Sequence, residues 1–328
     1  MGNTKKLAAL FLSTLAVGSM LLASAGAADF PSKSITVLQG FKPGGGSDAL
    51  AQLTQPFLEK AIGQTFVNQY IPGATGAIAW TQLTKQSKPD GYTISITNTP
   101  MLMTNYIMNK EITYNIEELT PIANVVTDPG IIVVSKDSPF QTVQDFMAAA
   151  KEKPGQLTVG NSGVGGDDFF TTLIVEKATG LKFQLVPFQG DGPSWQAAMG
   201  GKIDASFNNL GITFPQIKAG NLRALALFAD ERNPNIPDVP TLKEIGYDVQ
   251  SGSSRGYSAP KGIPAEARDA LIKAFQAMGT DPEFPKTAAE RALTLDLKYG
   301  DDYAAYLKKQ EAAFGQIWEE VKDQYKTN

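Results

Sequence analysis

The stretch Ile35-Thr36-Val37-Leu38-Gln39-Gly40-Phe41-Lys42-Pro43-Gly44-Gly45-Gly46-Ser47-Asp48 decides the reading of the fold. Ile35 to Leu38 is a short, β-branched apolar run of the kind that forms a buried strand. After it, Leu50, Leu53, Thr54, Phe57, Leu58 and Ile62 recur at helical spacing from Asp48 to Ile62, and Gly63 stands where a helix C-cap belongs. The glycines therefore join a strand to a helix. Consecutive glycines let a ligand approach the backbone and leave N–H groups free to donate at a helix start, which suits a carboxylate acceptor. The same residues also read as a plain turn with Ser47 or Asp48 as N-cap. No Gly-Lys-Ser/Thr closes the loop, so it is not a P-loop, nor is it a dinucleotide fingerprint.

The unit repeats along the chain. Further apolar runs lie at Tyr92 to Thr97, Ile131 to Val134, Leu157 to Val159, Phe183 to Phe188 and Ala224 to Phe228. Helical patterns fall at 77–86, 142–151, 168–179, 193–199, 214–219, 264–278 and 302–321, with Gly180, Gly220 and Gly279 at capping positions. Alternation of this kind predicts a mostly parallel α/β architecture with ligands outside the carboxyl ends of the strands. A second strand-to-helix glycine segment, Asn161-Ser162-Gly163-Val164-Gly165-Gly166-Asp167-Asp168, falls at such an end. Its acids either cap the next helix or meet a cationic group or a water. Gly73, Ala74 and Thr75 form a third candidate donor set or a tight turn. Asn208 and Asn209 are candidate amide donors or turn formers, and Arg255 is a carboxylate clamp or a structural arginine.

Composition narrows the function. Lys5 and Lys6, the apolar run Leu7 to Leu22 and the small residues Ala23 to Ala28 predict a secretory signal peptide over residues 1–28, and hence a periplasmic protein. Its removal leaves 27 basic against 33 acidic residues, a net charge of -6 in place of -4, which argues against a nucleic-acid partner. Histidine and cysteine are both absent, which excludes Ser-His-Asp and Cys-His nucleophiles and His- or Cys-ligated zinc. About 300 residues exceed a single core, so two lobes are expected: 29–125 plus 226–328, and 126–225 between them.

Read together, the motifs resemble the solute receptors of tripartite tricarboxylate transporters. The likeness is carried in order by Phe30 to Val37, Pro43 to Asp48, Ile71 to Ala77, Lys88 to Thr93, Gly160 to Asp168, Val186 to Gly190, Gly200 to Asp204, Lys218 to Ala226, Asp238 to Leu242 and Ala259 to Pro264. That resemblance implies a type II periplasmic-binding-protein fold, two α/β lobes joined by a double-crossover hinge and closing on a small organic carboxylate. It also implies delivery to membrane permease subunits, no cofactor, no metal and no catalysis, with the receptor expected to be a monomer.

Carried onto this chain, the family pattern nominates Gly44, Gly45, Gly46, Ser47 and Asp48 with Gly163, Val164, Gly165 and Gly166. Phe41, Gly73, Ala74, Thr75, Asp167, Asp168 and Asn208 complete the expected ligand-binding set. Many relatives carry a histidine soon after the second loop where this chain has Phe169, which becomes either an apolar wall or a core residue. Two other readings stand beside the transport receptor: a ligand-binding co-receptor for a membrane sensor kinase, and an enzyme using paired carboxylates such as Asp48 with Asp167 or Asp168.

Overall fold

Residues 30–324 are described by a computed structural model; the expected signal peptide lies outside the described residues. In chain order the elements begin with β1 (Ile35–Gln39), α1 (Gly46–Ile62), β2 (Phe66–Tyr70), α2 (Ala77–Lys85), β3 (Thr93–Thr99), α3 (Met101–Met108) and β4 (Leu119–Ser135). They continue with α4 (Val143–Glu152), β5 (Thr158–Asn161), α5 (Asp167–Thr179), β6 (Gln184–Pro187), α6 (Asp191–Met199), β7 (Ala205–Asn209), α7 (Leu210–Lys218) and β8 (Leu222–Phe228). Last come β9 (Gly252–Pro260), α8 (Ala265–Thr280), α9 (Glu283–Glu290), β10 (Leu295–Tyr299) and α10 (Gly300–Val321).

The opening stretch folds as its pattern demands. β1 pairs in parallel with β2 and β3. Its alternate residues feed two cores: Ile35 and Val37 pack with Ile94 and Ile96 against Leu50 and Leu53 of α1 and Phe275 of α8, while Leu38 joins Trp80 of α2 and Tyr303 of α10 on the other face. A second sheet holds β5, β6 and β7 in parallel. Its core gathers Ile132, Val159, Phe146, Phe183 and Phe207, with Phe146 stacked on Phe183 at 5.5 Å.

The sheet is mixed rather than mostly parallel. β9 runs antiparallel between β3 and β4, and β4 is itself antiparallel to β7, β8, β9 and β10. The reversal follows from how the two halves are joined. The 17-residue β4 serves both, pairing with β9 up to Pro129 and with β7 and β8 from Gly130 onward.

The two crossovers accordingly come later than residues 125 and 226. The outgoing one lies at Pro129-Gly130, and residues after β8 remain with the second core, where Leu242 and Val249 pack beside Ile132 and Phe146. The chain returns at Gly252, opposite Pro129. α10 spans the junction: Tyr303 bonds Thr97 at 2.9 Å near one end, and Phe314 meets Phe170 of α5 at 5.3 Å near the other.

Gly63 and Gly180 cap α1 and α5 in the left-handed region, as expected. Gly279 does not cap; it lies inside α8, where any Cβ would fall 2.4 Å from the Tyr299 hydroxyl.

Candidate functional site

The first glycine loop is braced from within. The Asp48 carboxylate accepts from Gly44 N at 2.9 Å, Gln52 Nε2 at 3.0 Å and the Tyr70 hydroxyl at 2.7 Å. The hydrogen bond to that carboxylate is the main reason the Tyr70 phenol is pushed up to about 12. Asp48 is thus engaged in holding the loop. Ser47 donates to Asn98 at 3.0 Å, and Phe41 packs on Trp80 with ring centres 6.4 Å apart. Beside the loop, the turn at Gly73 to Gly76 places Ala74 and Thr75 at φ 45° and 51°. Such values are rare for any residue with a side chain and costly for a β-branched one, and strained residues of this kind gather at functional sites. Asn105 Nδ2 holds the strained turn by donating to Thr75 O at 3.1 Å.

The second loop forms where β5 ends. Asn161 Oδ1 accepts from Gly163 N at 3.0 Å, and Gly166 N donates to Gly163 O at 3.0 Å. Gly163 and Gly165 adopt φ 127° and 88°, open to glycine and strained for anything larger. The second loop meets α3 and the Thr75 turn across the junction. Thr104 of α3 donates to Gly165 O at 2.6 Å, and a Cβ on Gly163 would lie 3.8 Å from Thr75 Oγ1. Val164, at the tip, is half exposed. The turn at Gly73 to Thr75 therefore lies close to Gly163 of the second loop.

Beneath them lies a buried polar floor that the sequence reading mostly missed. Arg255 of β9 is 2% exposed and donates through Nη1 to Asp128 at 3.0 Å and through Nη2 to Asn209 Oδ1 at 2.7 Å. Its guanidinium lies against Gly46, where any Cβ would come within 2.5 Å. Asn209 in turn donates to Asp167 at 2.7 Å. One chain of contacts thus runs from the first glycine loop through Arg255 and Asn209 to the second. Two of the Arg255 nitrogens are thus committed to the fold, as the structural alternative expects, while Nε carries no hydrogen bond.

Asp167 and Asp168 do not cap α5, whose N-cap is Gly166 with no side-chain bond. Asp168 instead lies against Asp191, the first residue of α6. Burial pushes all of these carboxyls up: Asp128 against the pull of Arg255, Asp167 against Asn209, Asp168 well up with Asp167 and Asp191 adding to it, and Asp191 to about 6. Asn208 is spent inside the second sheet, donating to Asp191 O at 3.2 Å and accepting from Asn209 N at 3.0 Å.

Phe169 is a core residue, meeting Phe170 edge-on at 5.6 Å within a cluster that includes Phe314 and Trp318. Among the described residues no group of three or more Asp, Glu, His or Cys side chains is arranged to hold a metal ion. A cavity of about 790 Å³ opens elsewhere, bordered by Thr127, Ser254, Asp230, Tyr306 and Phe314 and by none of the glycine-loop residues. Ser254 and Arg255 are consecutive on β9, so they face opposite sides of the sheet, and the cavity lies on the side away from the polar floor.

Comparison with known proteins finds relatives over most of the chain. The family model described as "Tripartite tricarboxylate transporter family receptor" matches residues 50–322. Protein BugT of Bordetella pertussis is 29% identical over 82% of this chain and 89% of its own length. A TctC solute binding protein from Polaromonas, solved without ligand, is 29% identical over 89% of this chain and 99% of its own, with a TM-score of 0.67. An R. palustris protein solved with adipate is 26% identical over 89% and 98%, with a TM-score of 0.83.

Proposed function

The chain belongs to the tripartite tricarboxylate transporter family of receptors, which are solute-binding proteins, and we propose that it captures a small organic carboxylate between its two glycine loops. The ligand's acid group accepts from the backbone N–H groups that the loops' own bonds leave free at the starts of α1 and α5, those of Gly45 to Ser47 on one side and of Val164 and Gly165 on the other. Ordered waters complete the contacts, and these rival direct bonds in strength. Thr75 and Val164 border the entrance. The lobes, residues up to Pro129 plus those from Gly252 against the segment between, close over the ligand by bending at the two crossovers.

The observation that carries this reading is the Thr104 to Gly165 bond, which holds the second loop against the first sheet with the strained Thr75 facing it. Such a bond supports the reading of a receptor that closes one half on the other. Binding energy then favours the closed state, which the membrane subunits of the transporter recognise. The buried carboxylates are asked for no chemistry. The receptor works outside the cytoplasm as a monomer, and none of its described helices is long and apolar enough to cross a membrane.

A thermal-shift screen of mono-, di- and tricarboxylates, amino acids and aromatic acids tests the proposal. Ligand at about 100 times its Kd adds about 2.7 kcal/mol to the folded state. A clear rise in Tm with at least one acid is expected; no rise across the panel contradicts the reading.

A further inference from the structure

The polar floor holds more carboxyl groups than its single cation can pair. Four buried or half-buried carboxylates, Asp128, Asp167, Asp168 and Asp191, face a single cation, Arg255, with which Asp128, Asp167 and Asp191 all interact. Uncompensated buried charge is strongly disfavoured, so folds pair it, protonate it or give it to a ligand.

The acids' free valences are specific. Asp167 Oδ1, Asp168 Oδ2 and Asp191 Oδ1 are buried and carry no hydrogen bond. All three belong to residues at the starts of α5 and α6, directly after the glycine turns at Gly166 and Gly190 that edge the cleft. A second observation is independent of the acids. Arg255 reaches them from the other sheet, and its Nε, also buried, donates to nothing. The unused donor therefore lies under the first glycine loop, where a Cβ on Gly46 would come within 2.5 Å of it, and the unused acceptors lie at the second. A plain di- or tricarboxylate satisfies Arg255 and the loop N–H groups but adds negative charge to the acids; an ammonium supplies three donors and a positive charge to them.

We propose that the solute carries a protonated amine as well as a carboxylate, the amine received by Asp167, Asp168 and Asp191 and the carboxylate by the glycine loops and Arg255 Nε. The inference rests on the cleft assigned under the proposed function and narrows its ligand from organic acids to amino acids and related zwitterions.

Calorimetric titration of the mature protein with matched pairs tests it: succinate against aspartate, glutarate against glutamate, and adipate against 2-aminoadipate. In the best-binding pair the amino compound is expected to bind about tenfold tighter or more, a difference of one decade in Kd. Asp191→Asn should narrow that ratio, and Asp168→Asn serves if the first variant does not fold. If every des-amino acid binds as tightly as its amino partner, the inference is overturned while the carboxylate reading stands. If neither member of any pair binds, and no other acid does, both fall.

Discussion

Arg255, on a strand of the first sheet, donates through Nη2 to Asn209 Oδ1 at 2.7 Å, at the carboxyl end of a strand of the second. The bond crosses the junction between the two halves and sits under both glycine loops. Its partner Asp128 lies on β4, the strand both halves share, and accepts from Gly211 N at 2.8 Å as well as from Arg255. The buried polar floor and the junction between the two halves are thus built from the same few side chains.

Removing one member of a buried ion pair leaves its partner charged and unpaired. Arg255→Met is expected to destabilise the protein by about 3–5 kcal/mol, because Asp128 is fully buried. Adding Asp128→Asn to that variant should restore part of the loss, and Arg255→Lys should not rescue, since an ammonium cannot reproduce the forked contact. Urea unfolding of the single and double variants checks the order.

Gly46 and Gly45 separate close approach from loop flexibility. A Cβ at Gly46 falls within 2.5 Å of a guanidinium pinned at both ends, whereas one at Gly45 meets only Lys42 O, at 3.6 Å. Gly46→Ala is expected to cost about 1–3 kcal/mol, the usual range for overpacking, and Gly45→Ala less than about 0.5 kcal/mol. Thermal unfolding of the two variants gives the comparison directly.

Asp191 gives a pH test with a definite sign. Its pKa rises from 3.8 to about 6 in the fold, so the folded state holds the proton more tightly than the unfolded chain. The stabilisation is complete below about pH 4 and is lost as pH climbs through about 6. Asp191→Asn removes this dependence. The Tm of the variant relative to wild type, both without ligand, should therefore rise between pH 4 and pH 7; a constant or falling difference contradicts the assignment.

Thr104 tests closure. Its 2.6 Å bond to Gly165 O links α3 to the second glycine loop, and Thr104→Val keeps the shape while deleting the donor. A net hydrogen bond of about 0.5–1.5 kcal/mol corresponds to a two- to twelvefold rise in Kd for the captured acid. Calorimetry with any acid found in the screen measures it.

The glycine loops were legible because strand, glycine run and helix each leave a local mark, and Ile35 to Ile62 shows all three in sequence. The floor was not, because its residues are far apart in the chain and their partners are set by the crossovers. Arg255 lies in Gly252-Ser253-Ser254-Arg255-Gly256, a polar, glycine-bearing segment that reads as a loop, yet it is an interior strand with Ser253, Ser254 and Arg255 all buried. Tertiary pairing between β3 and β4 overrides its weak strand propensity. Asp191 left a signal that was within reach, since it follows Phe188-Gln189-Gly190 at a strand-to-helix turn like those of the two loops. The mixed sheet was hidden because alternation of strands and helices does not reveal which strands cross between halves.

Titration of the tightest-binding acid from the screen into wild type and Gly45→Val tests the central claim most directly. Gly45 has φ −92° and ψ −176°, extended backbone that valine adopts, so the variant should fold with a Tm near that of wild type. The added methyl groups should keep the carboxylate from the loop N–H groups and weaken binding at least about tenfold, or 1.4 kcal/mol. Equal affinity for the two proteins, with the variant folded, contradicts capture by the glycine loop.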